Sequence, residues 1–360
     1  MLSLSVALLA GCGSGDDDDG ASSLTTDPSA TAPTTTMNGS ESGGTSGVDT
    51  TATTASTSAS TSMSSSDPTT DSADSTSATD DTGPPTGACG NAEGQLLLPD
   101  MPWNTDISGA ALASDSQAVI DYLEANVQSD ARFQIDFSIP ILYADASTPH
   151  MMFTPDDGPD GTFYSPDCDP APIPVPEDGH IEGEEAYSCD NDGDCHLIVV
   201  DYDACRLYEQ WRSNFGGGTA GGCLAIWELD REYDETLRGD YCSSADGAGL
   251  PIAPLLFTAD EVEAGEIRHA LRFTVARTRA AFVFPARHEA SSLTDADLPA
   301  MGQRLRLKRT VDVSRLPRQA RVVARALQRY GMLVADNGSN WFISGAPDRR
   351  LDGLSALQRL

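Results

Sequence analysis

Residues 13 to 88 consist almost wholly of Ser, Thr, Asp, Gly, Ala and Pro, and this confines any fold to the residues beyond them. A segment of that composition buries too little apolar surface to offset the entropy of ordering it. It carries 12 Asp or Glu and no Lys or Arg, so it repels itself and stays extended. The expectation is a disordered stalk over residues 12 to 88, ahead of one folded domain over residues 89 to 360.

Before the stalk, an apolar run from Leu2 to Ala10 ends in small residues ahead of Cys12. It resembles a bacterial lipoprotein signal peptide, with Leu9, Ala10, Gly11 and Cys12 as the lipobox. The resemblance implies that residues 1 to 11 are the signal peptide and that Cys12 carries lipid. It makes the bilayer a partner and lodges the protein, exported and lipid-anchored, at the cell envelope or outer surface. The basic residues usual at the start of such peptides are missing, since no Lys or Arg stands between Met1 and Cys12.

The formal net charge is −33. It is uneven: from Asp260 onward 17 Lys plus Arg outnumber 11 Asp plus Glu. Bulk acidity disfavours nucleic acid as a partner. Besides Cys12 there are seven cysteines, at 89, 168, 189, 195, 205, 223 and 242. In an exported chain they read as three disulfides and one free thiol. Cys189 with Cys195 is the preferred pair, because the two flank a short loop with Gly193 at its turn. Cys205 and Cys223 begin neighbouring expected strands and either join each other or leave Cys223 for Cys242.

Within the folded part, "SQAVIDYLEANV" (116 to 127) has Val119, Ile120, Leu123 and Val127 at helical spacing. The period then changes to two. "HLIVVD" and "CRLYEQW" read as a hairpin, with "CLAIWEL", "IRHALRFTV", "AAFVFPA", "QRLRLKR", "GMLVAD" and "NWFIS" as further strands. One helix interrupts them. "SRLPRQARVVARALQRYG" offers Ser314 as N-cap, an apolar face of Val322, Val323, Ala326, Leu327 and Tyr330, and Gly331 past its end. The fold class is therefore mostly β, an antiparallel β-sandwich or jelly-roll-like single domain with one or two accessory helices. Arg318, Arg321, Arg325 and Arg329 lie opposite the helix's apolar face, as a solvated basic face or a contact for an anionic glycan or phospholipid.

The blocks "CRLYEQW", "SSADGAGLPIAPLLFTADEVEAGEIRHALRFTV", "LPAMGQRLRLK", "ALQRYGMLVADNGSNWFISGAPD" and "PIPVPEDGHIEG" resemble a family of exported bacterial proteins with no assigned activity. The resemblance implies that residues 93 to 360 form one unit and carries no function. The loop "SCDNDGDC" reads as a local elaboration. Asp190, Asp192 and Asp194 alternate as calcium ligands do, but the EF-hand's twelfth position falls on Val199, so the bidentate Glu is missing. A stapled acidic turn without any cofactor is the leading reading of this loop, with calcium as the alternative.

No G-x-S-x-G, H-E-x-x-H, P-loop or G-x-G-x-x-G occurs, which removes the usual signatures of hydrolase elbows, zincins and nucleotide enzymes. Histidine and carboxylate chemistry remains. By a period of two, His269 shares a face with Ile267, Leu271, Phe273 and Val275, where a hydrogen-bonded core histidine competes with a site residue. His196 shares a face with Ile198 and Val200. Glu209, between Leu207 and Trp211, is a carboxylate among apolar neighbours, where a raised pKa suited to general acid work arises. Asp336 and Asn337 enter a Gly turn close to Trp341, a set able to hydrogen-bond and stack on a sugar ring or simply to build an Asx-turn. The candidate catalytic residues are thus His269, Glu209, Asp336 and His196. Three functional classes fit: a carbohydrate-active hydrolase or lyase, a glycan-binding module, and a non-catalytic structural or adhesion protein of the envelope. Binding or processing of extracellular polysaccharide is the leading expectation.

Overall fold

The computed structural model describes Cys89 and residues 95–360, except 126–131, 153, 156–167, 170, 191–192, 217–219 and 243–244. The signal peptide, Cys12, the stalk and Asp192 lie outside the described residues. Along the chain come α1 (Ser116–Ala125), β1 (Gln134–Asp136), β2 (Ile141–Ala144), β3 (His150–Met152), β4 (Thr154–Pro155), β5 (Pro172–Pro174), β6 (Leu197–Asp201), β7 (Arg206–Trp211), β8 (Ala220–Gly221) and β9 (Cys223–Glu228). They are succeeded by α2 (Ala259–Ala264), β10 (Leu271–Val275), β11 (Arg304–Leu305), α3 (Arg318–Arg329), β12 (Met332–Asn337) and β13 (Phe342–Ser344).

The protein is mostly β: the described residues form two larger sheets and two two-stranded ribbons, with three α-helices. The five-stranded sheet has the order β1-β13-β10-β12-β11 and the four-stranded sheet the order β2-β6-β7-β9. Both are mixed. The hairpin β6–β7 and its neighbour β9 are antiparallel, while β2 runs parallel to β6, β1 to β13 and β10 to β12.

The unbroken apolar run of β6 follows from burial on both of its faces. Ile198 and Val200, with Leu207 and Trp227, enter the main core, which also holds Phe273, Leu333 and Ile343 of the larger sheet. Leu197, Val199, Tyr208 and Leu224 pack on the other side against Ile173, Val175 and Ile181. Each large side chain so buried contributes roughly 1.5–3 kcal/mol relative to exposure.

In α1, Val119 and Leu123 are buried, as their spacing requires. Helix α3 buries Val322, Val323, Ala326 and Leu327, but it starts later than expected, with Pro317 and not Ser314 at the N-cap. A proline cannot sit in a helix interior and disfavours helical backbone in the residue before it, so Pro317 fixes the start. Strand β10 begins at Leu271, which leaves His269 in the turn before it, and the period-two assignment of His269 to a strand face does not hold. The expected strand "AAFVFPA" reduces to one bridge, Phe282 to Met301, before Pro285. "QRLRLKR" keeps two strand residues, because the Arg304 guanidinium turns to the carbonyls of Tyr330, Pro102, Trp103 and Thr105.

The disulfides join Cys89 to Cys205, Cys168 to Cys223 and Cys189 to Cys195. Cys205 does not meet Cys223, and Cys223 does not meet Cys242. The antiparallel register of β7 and β9 sets Arg206 opposite Glu228 and Trp211 opposite Cys223, so Cys205 and Cys223 stand at opposite ends of the ladder. The expected free thiol is not found among the described residues. Three disulfides point to an oxidising compartment, extracellular or periplasmic. Among the described residues no helix is long and apolar enough to cross a membrane.

Candidate functional site

Two of the four candidate catalytic residues belong to one charged cluster inside the domain, and a strand irregularity helps to build it. Arg272 of β10 faces Leu333 of β12, but after Phe273 the register slips, so that Phe273 faces Val334 and Thr274 faces Asp336. The extra residue, Ala335, rephases β12 and turns Asp336 onto the face of Arg272. The Arg272 Nη2 then donates to Asp336 Oδ2 and to Asp246 Oδ1, each at 3.0 Å, and its Nη1 to Ser344 Oγ at 3.3 Å. Gly247 permits this approach, since a Cβ there would lie 2.4 Å from Asp336 Oδ1. The Asp246 side chain is fully buried and its Oδ2 has no partner among the described residues, while Asp336 keeps 24% of its side chain exposed.

His196, just ahead of β6, enters the same neighbourhood through the carbonyl of Ala245, the residue before Asp246. Its Nε2 donates to that carbonyl (2.8 Å) and its Nδ1 to Glu182 Oε2 (2.5 Å). Both ring nitrogens face acceptors, so the ring carries both protons. Burial alone would lower the His196 pKa, but the Glu182 carboxylate outweighs it and raises it to about 9. Burial likewise works to raise Glu182, and the His196 cation overrides it, drawing Glu182 down to about 2.

Glu209 shares the sheet face of Ile198, its cross-strand partner, and therefore points to the same interior. It has no solvent exposure. Its Oε1 accepts the backbone N–H groups of Ile252 and Ala253 at 2.7 and 2.8 Å, and its Oε2 has no partner among the described residues. Burial pushes its pKa up to about 7 against those two donors. The raised pKa is of the kind expected of a carboxyl among apolar neighbours, but no ligand atom reaches this one. Its work is to hold the 252–255 turn. Asp246 and Asp336 are pushed up too, by burial and, for Asp246, also by the neighbouring carboxylate, against the pull of Arg272.

His269 stands apart. Its Nδ1 donates to the carbonyl of Ala270 (2.8 Å) and its Nε2 to Glu261 Oε1 (3.0 Å). Burial opposes its charge, Glu261 favours it, and the net shift is upward. Glu261 also closes the capping box of α2: Thr258 Oγ1 accepts from the Glu261 N–H, and Glu261 Oε2 accepts from the Thr258 N–H. The pair lines a cleft of about 520 Å³, together with Ala253 and Pro254 of the turn that Glu209 holds.

Two tyrosines on that cleft were not legible as site residues. Tyr143 of β2 is opposite Val200, and Tyr202 lies two residues beyond Val200 on the same face, so the parallel ladder brings the rings together. Their centroids are 6.1 Å apart and their planes 12° from parallel. Tyr143 is 49% exposed. Asp260, Glu266 and Arg268 supply charged groups around them.

The remaining candidates are used structurally. Asn337 donates to the carbonyl of Ala290 and accepts from Thr278 Oγ1, tying down a loop and not making an Asx-turn. Trp341 is half-buried and makes edge-to-face contacts with Phe133 and Phe273 of the core. In the acidic loop, the Asp190 N–H donates to Glu184 and Asp194 accepts the Trp211 indole N–H. Among the described residues the only cluster with metal-ligand spacing is Glu184, Cys189 and Cys195, and its two sulfurs are spent in a disulfide.

No family model, curated protein or solved structure matches the chain. Its function rests on these side chains.

Proposed function

We propose that this is an exported, surface-tethered protein whose β-rich domain binds an extracellular glycan in the cleft beside His269. The observation that carries the reading is the nearly parallel Tyr143–Tyr202 pair on a cleft edged by carboxylates and an arginine. A pyranose ring presents C–H groups on its faces and hydroxyls at its edge. An aromatic platform takes the first and charged hydrogen-bonding groups take the second. The Glu261–His269 pair lies spent in mutual hydrogen bonds, which favours binding over proton transfer at this cleft.

Screening the full chain on a glycan array, followed by titration of the best ligand, tests the reading. Tyr143→Ala should weaken binding by roughly tenfold, about 1.4 kcal/mol, through loss of the platform. Its melting temperature should stay near that of the parent, since Tyr143 is half exposed. A Tyr143→Ala variant with full affinity would remove the platform from the account.

The tether is the second part of the proposal. A lipid on Cys12, followed by the acidic stalk, holds the domain away from the bilayer. Cys12→Ser should move the protein from the membrane fraction to the soluble one. An N-terminal peptide recovered in disulfide linkage with Cys242 instead would refute the anchor.

A further inference from the structure

A second cleft, of about 570 Å³, adjoins the first: Ala264 and Glu266 line both. Its character differs. Arg309, Arg325 and Arg329 line it together with Asp106. The Arg329 charge is already satisfied, by Asp106 at 2.8 Å and by Glu266 at 2.7 Å, and Glu266 also accepts from Arg268 at 3.1 Å. Arg309 and Arg325 are different. Both are exposed, and neither guanidinium makes a hydrogen bond or ion pair within the described residues.

Two uncompensated guanidinium groups in one cleft reverse the local sign of a chain whose net charge is −33. Guanidinium presents a planar fork of donors that matches a carboxylate or sulfate two-on-two. The carboxylates beside them, Asp106 and Glu266, are pinned by Arg329 and do not compete for them. We infer that this cleft is an anion subsite of the same groove, and that the glycan is an acidic polysaccharide. A uronic-acid carboxylate or a sulfate on one unit engages Arg309 and Arg325, while nearby units lie on Tyr143 and Tyr202. The inference rests on the glycan reading and deepens it.

The test uses the full chain with polygalacturonate, alginate and heparan sulfate as acidic polymers, methyl-esterified pectin as a neutral one, and vesicles containing phosphatidylglycerol as a separate anionic surface. The wild-type chain should bind at least one acidic polymer about tenfold or more tightly than the ester. Raising salt from about 0.05 to about 0.5 M should erase that margin, because exposed charges are screened. Arg309→Ala/Arg325→Ala should erase it as well and leave the weak binding to the ester unchanged. Both positions are exposed, so the variant should fold.

Retention of the margin in the double variant, or a preference for the neutral polymer, would overturn the inference. So would binding to the vesicles in place of the polymers. The two readings fail separately. If Tyr143→Ala changes nothing while the arginine variant loses the acidic polymer, the platform is wrong and the anion subsite stands.

Discussion

Urea unfolding should show the protein most stable near about pH 5 and progressively weaker up to about pH 9, losing on the order of 3 kcal/mol from each of two buried groups. The first is Glu209, raised from 4.5 to about 7 in the folded state. Between those values the folded chain holds a proton that the unfolded chain has released, so stability falls as pH rises through the window. The second is His196, raised from 6.5 to about 9. Its contribution is fully present below 6.5 and is lost as pH rises through about 9. Glu182 works the other way, since its pKa is depressed from 4.5 to about 2, and its contribution disappears as pH falls through that range. Asp246 and Asp336, also raised, add to the fall as pH rises, so the optimum lies at or below the acid edge of the Glu209 window.

Glu209→Gln isolates the first limb. The amide oxygen can still accept from Ile252 and Ala253, and the amide nitrogen takes the place of Oε2, which has no partner among the described residues. The variant should match the parent near about pH 4.5 and exceed it by about 3 kcal/mol at about pH 8, where the parent must bury a charge. A parent profile flat from pH 5 to 9, or a variant with the parent's slope between pH 5 and 7, would show that the Glu209 pKa is not raised.

Strands β6, β7, β9 and β12 were legible because their apolar runs are long enough to show a pattern, and α3 because its face repeats through three turns. The acidic ring closed by Cys189 and Cys195 was legible from loop length. The cluster around Arg272 was not. In "LRFTV" a single arginine reads as an outward-facing position, and nothing local says that Asp246, 26 residues earlier, meets it. The bulge at Ala335 leaves no mark in "MLVADN", where plain alternation puts Asp336 on the opposite face from Leu333. Helix α2 did leave a mark, Thr258 with Glu261 three residues on, but six residues are too few to show a helical period. His269 was misplaced for the same reason: the turn after α2 takes up residues that alternation had assigned to β10. Tyr143 and Tyr202 meet only through the pairing of β2 with β6, which is a property of the tertiary fold.

Arg272→Met should be among the most damaging single changes, costing about 3–5 kcal/mol at neutral pH. Methionine fills much of the same space, so the loss is electrostatic. Arg272 serves Asp246 through two donors, at 3.0 and 3.2 Å, and Asp336 through one. Without it two neighbouring carboxyls, one of them wholly buried, face each other with only the His196 cation nearby. That origin gives the defect a signature that a packing fault lacks. Lowering the pH neutralises both carboxyls, whose pKa values are already raised and rise further once the cation is gone, so the deficit should shrink towards about pH 4. Adding Asp246→Asn to Arg272→Met should likewise recover part of the loss at neutral pH, because it removes the charge left unpaired. A deficit independent of pH, and unrelieved by Asp246→Asn, would mean that Arg272 stabilises the sheet by packing and that Asp246 and Asp336 are not held through it.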